Sequence, residues 1–243
     1  MTAPVLAAGV GVRHGRGWAL RSASFRLESP VSGRTAFGIA ISSHGISGHG
    51  ISDDGHGASD HGASDHGAST ALVDLLAGLI RPSYGELRVL GEDMTTARGR
   101  SAVRGQVGVA RRVARPQPAF RVRGLVDHAA RLSRLPPRDR GPLAAAIVDR
   151  LLLTPWADVP LRAAPDVIAR RARLAAAAVH QPGLLLIDGL LDDLDPREAA
   201  ALADAIRDLG RDTTVVAIGH DPAALALACG EVLTMAGGIL VRP

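Results

Sequence analysis

The residues whose types and spacing suit phosphate binding lie between Gly62 and Thr70. Measured against the pattern G-x-x-x-x-G-K-[ST], Gly62, Gly67 and Ser69 fall in place. In such a loop, backbone N–H groups and the N-terminus of the next helix face the anion. The lysine of the pattern is missing because Ala68 occupies its position, and the chain contains no lysine at all. The sequence therefore predicts a phosphate loop that lacks its cation.

The segments around this loop are those that must position it. The apolar run at residues 36–41 predicts a buried strand before the loop. A helix is predicted to open on Ser69-Thr70, because leucines recur at the i, i+3, i+4, i+7 spacing of an amphipathic helix: Leu72, Leu75, Leu76 and Leu79. The order strand, glycine-rich loop and helix is the layout that a phosphate site requires.

The rest of the chain predicts an α/β fold with an antiparallel β subdomain. Antiparallel hairpins are predicted at both ends, at residues 5–27 and at 232–235 with 239–241. Further strands are predicted at residues 86–90, 107–110, 184–188 and 213–218, and helices at 125–135, 143–152 and 168–179. Asp195, Pro196 and Glu198 predict the start of another helix, through an N-cap, a proline at the first helical position and a capping-box partner.

Composition narrows the classes of protein. The 243 residues suffice for one large α/β domain, and the core must be built from Ala, Leu, Val and Ile because only 2% of residues are aromatic. The single Cys229 excludes a disulfide framework and suits a reducing compartment. We expect no signal peptide and no membrane span of roughly 20 apolar residues. The arginine-dense stretch 98–123 offers only Phe120 for base stacking, so we expect a solvated or partner-facing surface and no nucleic acid.

Histidine and aspartate recur in the loop itself. The sequence HGASD occurs at residues 56–60 and again at 61–65, with a truncated copy from His66, and five of the nine histidines lie in this region. We predict an insertion at residues 42–69. Its small residues favour a solvated segment, since they supply no apolar surface to offset ordering entropy. The alternatives are a weak divalent-metal site using His56, His61 and His66 with the aspartates, or an anion nest of backbone N–H groups.

Taken together, the order of these pieces resembles the ATP-binding cassette, the nucleotide-binding subunit of ABC transporters. The resemblance is strongest in GWALRSASFRLESPVSGR, ALVDLLAGLIRPSYGELRVLGED, QPGLLLIDGLLDDLDPREAAAL and TTVVAIGHDPAALALACGEVLTMAGGILV. It implies one nucleotide-binding domain over residues 1–243, with an ABC-type P-loop fold and a mostly parallel core sheet. It also implies ATP with Mg²⁺, a membrane permease as partner, a homo- or heterodimer with another cassette, and a location at the cytoplasmic face of the membrane.

Several family positions match this sequence. Asp188, which ends the run LLLID, falls on the Walker B aspartate, and with Ser69 it would hold Mg²⁺. Residues 193–195 fall on the D-loop, and His220 falls on the switch histidine. Through the resemblance, these positions imply that a cation and a phosphate-sensing histidine are retained.

Other family positions depart from the pattern. His14 stands at the adenine-stacking aromatic, Ala68 at the lysine, Arg112 at the Q-loop glutamine and Gly189 at the catalytic glutamate. The signature LSGGQ falls on residues 164–168, which read APDVI. A lysine-to-phosphate contact contributes about 1.5–3 kcal/mol, and a general base about 10²–10⁴-fold in rate.

We therefore predict a degenerate cassette with weak or no ATP binding and little or no hydrolysis, which serves as a structural or regulatory partner. One alternative is a working ATPase in which Arg34 or another arginine replaces the lysine, and Asp192 or Asp193 replaces the glutamate. Another is a metal-binding module that uses the histidine repeat. Nucleotide affinity with turnover would favour the ATPase, and metal-dependent ordering would favour the module.

Overall fold

The computed structural model describes residues 4–14, 17–27, 36–42, 65–112, 120–236 and 239–241. Within these ranges the strands are β1 (Val5–His14), β2 (Gly17–Leu27), β3 (Ala36–Ser42), β4 (Tyr84–Val89), β5 (Glu92–Asp93), β6 (Val107–Arg111), β7 (Leu184–Asp188), β8 (Thr214–Gly219), β9 (Glu231–Ala236) and β10 (Ile239–Val241). The α-helices are α1 (Asp65–Leu76), α2 (Ala97–Arg104), α3 (Val122–Leu132), α4 (Pro137–Arg150), α5 (Asp166–Ala178), α6 (Pro196–Leu209) and α7 (Pro222–Ala228).

The first sheet is antiparallel and has the strand order β2-β1-β4-β5. Strand β1 pairs with β2 from Val5 opposite Leu27 to His14 opposite Gly17, which confirms the predicted hairpin at residues 5–27. Strand β4 pairs with the other side of β1. This sheet is the antiparallel subdomain that the sequence predicts.

The second sheet has the order β10-β9-β3-β8-β7-β6, and all its strands except β10 are parallel. Parallel strands end at a common edge, so β3, β8, β7 and β6 finish side by side at Ser42, Gly219, Asp188 and Arg111. We call this side the carboxyl edge and the opposite side the amino edge. Ligands of open parallel sheets bind at the carboxyl ends of the strands.

The apolar runs of the central strands pack on both faces of this sheet. Leu185 and Ile187 of β7 join the cluster that includes residues of α3 to α7. Leu184 and Leu186 join the cluster that includes α1 and the antiparallel sheet. Because successive strand residues point to opposite faces, a strand covered on both sides must be apolar throughout. The sequence LLLI meets this requirement.

The start and end of α1 differ from the prediction. The helix begins at Asp65, four residues before Ser69, and ends at Leu76, so Leu79 lies outside it and is 56% exposed. Gly78 follows with φ +71°, a conformation that commonly terminates helices. A Cβ on Gly78 would also lie 2.9 Å from the Arg100 carbonyl oxygen. The expectation that Leu79 belongs to the apolar face was therefore wrong.

Two further helices needed correction. Helix α4 begins at Pro137, earlier than the predicted residue 143, because proline is well suited to the first turn of a helix. Helix α2 was not predicted from its arginine-rich sequence, ARGRSAVR. Helix α6 begins as predicted, with the Asp195 carboxylate accepting from the N–H groups of Arg197 and Glu198. In the described ranges no helix has the length and apolar character needed to cross a membrane.

Candidate functional site

The central contact of the carboxyl edge joins α1 to β7. Ser69 is 4% exposed, and its hydroxyl donates to the carboxylate of Asp188, the last residue of β7. Asp188 lies at the carboxyl edge because β7 ends there, and Ser69 lies in the second turn of α1. A hydroxyl and a carboxylate are oxygen ligands of the kind that Mg²⁺ takes in proteins. Two of the predicted site residues are thus brought together.

Three other residues of the predicted phosphate loop, Gly67, Ala68 and Thr70, carry no charged side chain. Ala68 is partly buried and packs against the apolar cluster that includes α1. Gly67 lies in the first turn of α1, and Thr70 is exposed. Gly62 lies outside the described residues. The position of the family lysine is therefore occupied by a partly buried methyl group that carries no charge.

Gly189 follows Asp188 with φ +67°, the left-handed conformation that favours glycine. Its N–H donates to the carbonyl of Ile218 at 2.8 Å. A Cβ at this position would lie 3.3 Å from Asp192 Oδ2 and 3.5 Å from Arg112 Cβ. The conformation and the neighbours together disfavour any side chain at residue 189 as the loop now stands.

Asp192 and His220 link three strands at the carboxyl edge. The Asp192 carboxylate is 5% exposed, and its Oδ1 accepts from the His220 backbone N–H at 2.9 Å. The His220 ring nitrogen Nδ1 lies 3.4 Å from the carbonyl oxygen of Ile41 in β3. His220 follows β8 directly, so the loops after β7 and β8 and the end of β3 are held against one another. This arrangement places His220 at the same edge as Asp188.

Arg112 lies beside these residues, one position beyond the end of β6. Its backbone N–H donates to the carbonyl of Asp188 at 2.9 Å, and its Nη1 donates to Asp193 Oδ2 at 2.5 Å. Its neighbour Arg111 forms an ion pair with Asp74 of α1. The two consecutive arginines therefore have different partners, one on the loop after β7 and one on α1.

No family model matches the chain. It is 31% identical to the methionine import ATP-binding protein MetN 2 of Burkholderia mallei over 179 residues, which are 71% of this chain and 45% of that protein. It is also 31% identical to the daunorubicin resistance ATP-binding protein DrrA3 of Streptomyces coeruleorubidus over 148 residues, 60% of this chain and 46% of that protein. The chain thus spans about half the length of these curated relatives.

Among solved structures, the fold matches CbiO1 of Clostridium perfringens, described as part of the ABC transporter complex CbiONQ. The TM-score is 0.77 at 17% sequence identity, covering 99% of this chain and 88% of that one. The chain belongs to the ATP-binding cassette family. The predicted fold, a parallel core sheet with an antiparallel β subdomain, is confirmed as that of an ABC ATPase.

The cassette signature position contains a feature that sequence reasoning missed. Residues 164–168 lead into α5, whose residue Arg170 is only 2% exposed. The Arg170 guanidinium donates to Asp166 Oδ2 at 2.8 and 2.5 Å, and to the carbonyls of Leu190 and Asp192 at 3.0 and 2.5 Å. The start of α5 is thereby tied to the loop that follows Asp188. No sequence signal singles out Arg170, because α5 also contains Arg171 and Arg173.

The predicted histidine positions of this cassette are placed only in part. Strand β1 ends at His14, whose side chain lies outside the described residues. The same is true of the side chain of His66 and of the whole of His56 and His61. Since β3 includes Ser42 and α1 begins at Asp65, the segment between them is residues 43–64. In the ranges that the structure describes, no three His, Cys, Asp or Glu residues form a metal-binding group.

Two titratable groups, the half-buried His180 and the buried Cys229, lie away from this site. Burial lowers the pKa of His180, against a smaller opposing effect of a hydrogen bond with the Val107 backbone. Burial raises the pKa of the Cys229 thiol to about 12, so this cysteine stays protonated and unreactive at neutral pH. Both groups belong to the packing of the cassette.

Proposed function

We propose that this chain is the ATP-binding subunit of an ABC transporter, one that binds Mg-ATP weakly and hydrolyses it slowly or not at all. The observation that carries the proposal is the contact between Ser69 and Asp188, beside two positions, Ala68 and Gly189, that lack the expected side chains. Its role is then structural or regulatory, in complex with a membrane permease or with a competent cassette. The family resemblance implies both partners, and CbiO1 is described as part of an ABC transporter complex.

Cation binding is the part of the site that we expect to be retained. The Ser69 hydroxyl and the Asp188 carboxylate already meet, and in P-loop ATPases these two residue types hold Mg²⁺ on the phosphate chain. In the described residues no arginine pairs with Asp188, so its charge is available to a cation. The Ser69 hydroxyl and the Asp188 carboxylate are oxygen ligands of the kind that suits Mg²⁺. Bound Mg²⁺ would neutralise part of the phosphate charge.

Weak affinity follows from the lost lysine. A charge-assisted hydrogen bond to phosphate contributes about 1.5–3 kcal/mol, so its absence weakens binding by about ten- to a hundredfold. Three carboxylates, Asp188, Asp192 and Asp193, also lie at the carboxyl edge or on the loop beyond it. Their repulsion of a polyphosphate makes Mg²⁺ a requirement for binding.

Slow hydrolysis follows from Gly189 and from the segment at residues 164–168. Without the glutamate, no side chain at residue 189 can accept a proton from the attacking water, and general bases contribute about 10²–10⁴-fold. A proline and an aspartate replace the Ser-Gly of the signature, so the segment has lost one N–H group and gained a negative charge. In a dimer this segment would not stabilise phosphate charge in the partner's site.

A slow but active ATPase is the second candidate, because Asp192 offers a substitute base. Its Oδ2 lies 3.3 Å from the position that a Cβ on Gly189 would occupy. A carboxylate therefore stands next to the place where the glutamate would begin. Its Oδ1 is already engaged by the His220 N–H, and the group is almost fully buried, so we rank this candidate second.

Binding and turnover measured on the unmodified protein test the proposal. We expect a non-hydrolysable ATP analogue with Mg²⁺ to bind with a Kd between about 0.1 and several millimolar, and phosphate release to stay well below the roughly 1–10³ s⁻¹ of ordinary enzymes. Micromolar affinity with turnover in that range would support the active ATPase. Absence of binding at millimolar ligand would overturn both candidates.

A further inference from the structure

The loops that follow β6 and β7 hold an ion pair that the family resemblance does not explain. Arg112 Nη1 lies 2.5 Å from Asp193 Oδ2, and the two residues are 81 positions apart. Asp193 has φ +56°, a conformation uncommon for residues other than glycine but tolerated by aspartate. Strained conformations of this kind persist where the surroundings hold them, and they cluster at binding sites.

The backbone of Arg112 fixes where its side chain starts. Its N–H bonds the carbonyl of Asp188, the residue whose carboxylate contacts Ser69. Its Cβ and Cδ lie 3.5 and 3.8 Å from the position of a Cβ on Gly189. The aliphatic part of the Arg112 side chain therefore lies beside Gly189, which replaces the family glutamate. Because Gly189 has no side chain, the Arg112 side chain has space at this position.

The charges around this point favour an exchange of partners. Ala68 supplies no cation to a bound phosphate, and Arg111 is directed to Asp74 of α1. The Arg112 and Asp193 side chains are 35% and 74% exposed. Such an exposed pair shifts an equilibrium by no more than about fivefold, whereas a guanidinium-to-phosphate bond shifts it by about ten- to a hundredfold. A bound polyphosphate would therefore displace Asp193 as the partner of the Arg112 guanidinium.

Resting on the proposed function, we propose that Arg112 is the phosphate-binding cation of this site, held on Asp193 until a nucleoside triphosphate binds. The guanidinium then leaves Asp193 for the terminal phosphate and replaces the lysine missing at Ala68. Its planar fork suits bidentate contact with phosphate oxygens. Asp193 acts as a competitor that keeps affinity low.

Equilibrium binding of β,γ-imido-ATP and of ADP, each with Mg²⁺, tests this exchange on the full chain. Arg112→Met should weaken imido-ATP binding by about ten- to a hundredfold and ADP binding by much less. Arg112→Lys should remain within about tenfold of the unmodified protein. Asp193→Asn keeps a residue that tolerates the positive φ, and it should strengthen imido-ATP binding by about two- to fivefold.

The double variant and one remote control complete the test. The gain from Asp193→Asn should vanish when Arg112 is already methionine, because it depends on releasing that guanidinium. Arg211→Ala should leave affinity unchanged, since it removes an exposed arginine paired with Asp208 at the opposite edge. If the unmodified chain binds imido-ATP and Arg112→Met binds it equally well, the proposal is overturned while the proposed function stands. A gain from Asp193→Asn that persists without Arg112 also overturns it. If the unmodified chain binds neither nucleotide, both the role of Arg112 and the proposed function are overturned.

Discussion

At the amino edge of the six-stranded sheet, the Arg150 guanidinium bonds the carboxylates of both Asp208 and Asp212, each at 2.6 Å. At the carboxyl edge, Asp188 accepts from a hydroxyl and Asp192 from a backbone N–H. In the described part of the chain no arginine pairs with either of these two aspartates. The negative charge of the amino edge is thus balanced within the protein. Under the proposed function, that of the carboxyl edge is balanced by a bound cation.

The amino edge borders a cavity of about 490 Å³ that is lined by residues of α4, of the ends of α5 and α6, and of the segments that follow these two helices. Arg150 and Asp212 lie at this cavity already paired with each other. A charged group that is paired within the protein needs no ligand to explain it. A carboxylate without a cationic partner is a candidate for binding a ligand. Five changes would break or sharpen this comparison.

The largest effect on stability is expected at the buried arginine that holds the carboxyl-edge loop. Arg170→Ala removes the donors of two buried carbonyls, those of Leu190 and Asp192, and leaves a cavity. We expect a loss of about 2–4 kcal/mol in the free energy of unfolding, measured by chemical denaturation. The exposed Arg162→Ala, at residue 162 before α5, should cost less than about 0.5 kcal/mol. Equal losses for the two variants would show that the loop does not depend on Arg170.

Restoring the lysine should change the free energy of nucleotide binding by almost as much as Arg170→Ala changes the free energy of unfolding. Ala68→Lys adds one charge-assisted bond to phosphate, worth about 1.5–3 kcal/mol, so imido-ATP with Mg²⁺ should bind about ten- to a hundredfold more tightly. Ala68→Met is the control, because it adds similar length without charge at a position that packs against apolar side chains. If both variants bind as the unmodified chain does, residue 68 does not face the phosphates.

At the amino edge we expect a smaller effect, and one that concerns stability alone. Arg150→Ala leaves Asp208 and Asp212 without this shared cation, and pairs of this exposure contribute roughly 1 kcal/mol. The loss should shrink as salt is raised, while imido-ATP affinity stays unchanged. A marked change in nucleotide affinity would contradict the separation of the two edges.

The smallest effect is a pH dependence at the amino edge. Burial lowers the pKa of His180 from its ordinary value near 6.5, so the folded protein favours the neutral ring. Its contribution to stability is full above pH 6.5 and is lost as pH falls toward the lower folded pKa, by at most about 1.4 kcal/mol per pH unit. In unfolding experiments between pH 7 and 5, His180→Gln should remove this part of the acid destabilisation. Identical pH profiles would show that His180 does not contribute.

Much of the fold could be predicted from local pattern. Strand β7 was predicted residue for residue, because a continuous apolar run ending in aspartate is what a doubly covered strand requires. The leucine spacing of α1 was misleading at Leu79, because Gly78 ends the helical conformation whatever the leucine period suggests. Helix α2 was not predicted because only Gly99 and Val103 are buried in it. Two buried residues are too few to give the helix an apolar stripe.

The candidate site could be predicted where its residues lie at the ends of strands or, for Ser69, match the phosphate-loop pattern. Asp188 and His220 follow buried strands, and the family resemblance paired Asp188 with Ser69. The bonds of Arg170 to carbonyls 20 and 22 residues away leave no trace in sequence spacing, because a carbonyl belongs to every residue. The pairing of Arg112 with Asp193 likewise depends on the parallel register of β6 and β7, which places Arg111 opposite Asp188.

The most direct test of the account is the Mg²⁺ dependence of ATP-analogue binding in Asp188→Ala. The unmodified chain should bind imido-ATP at millimolar concentration only with Mg²⁺. The variant should lose that dependence and bind at least about tenfold more weakly, because a charge-assisted ligand bond is removed. Circular dichroism would verify that the variant is folded, since Ser69 also loses its partner. Equal binding by both proteins, with and without Mg²⁺, would contradict the claim that Ser69 and Asp188 form a cation site.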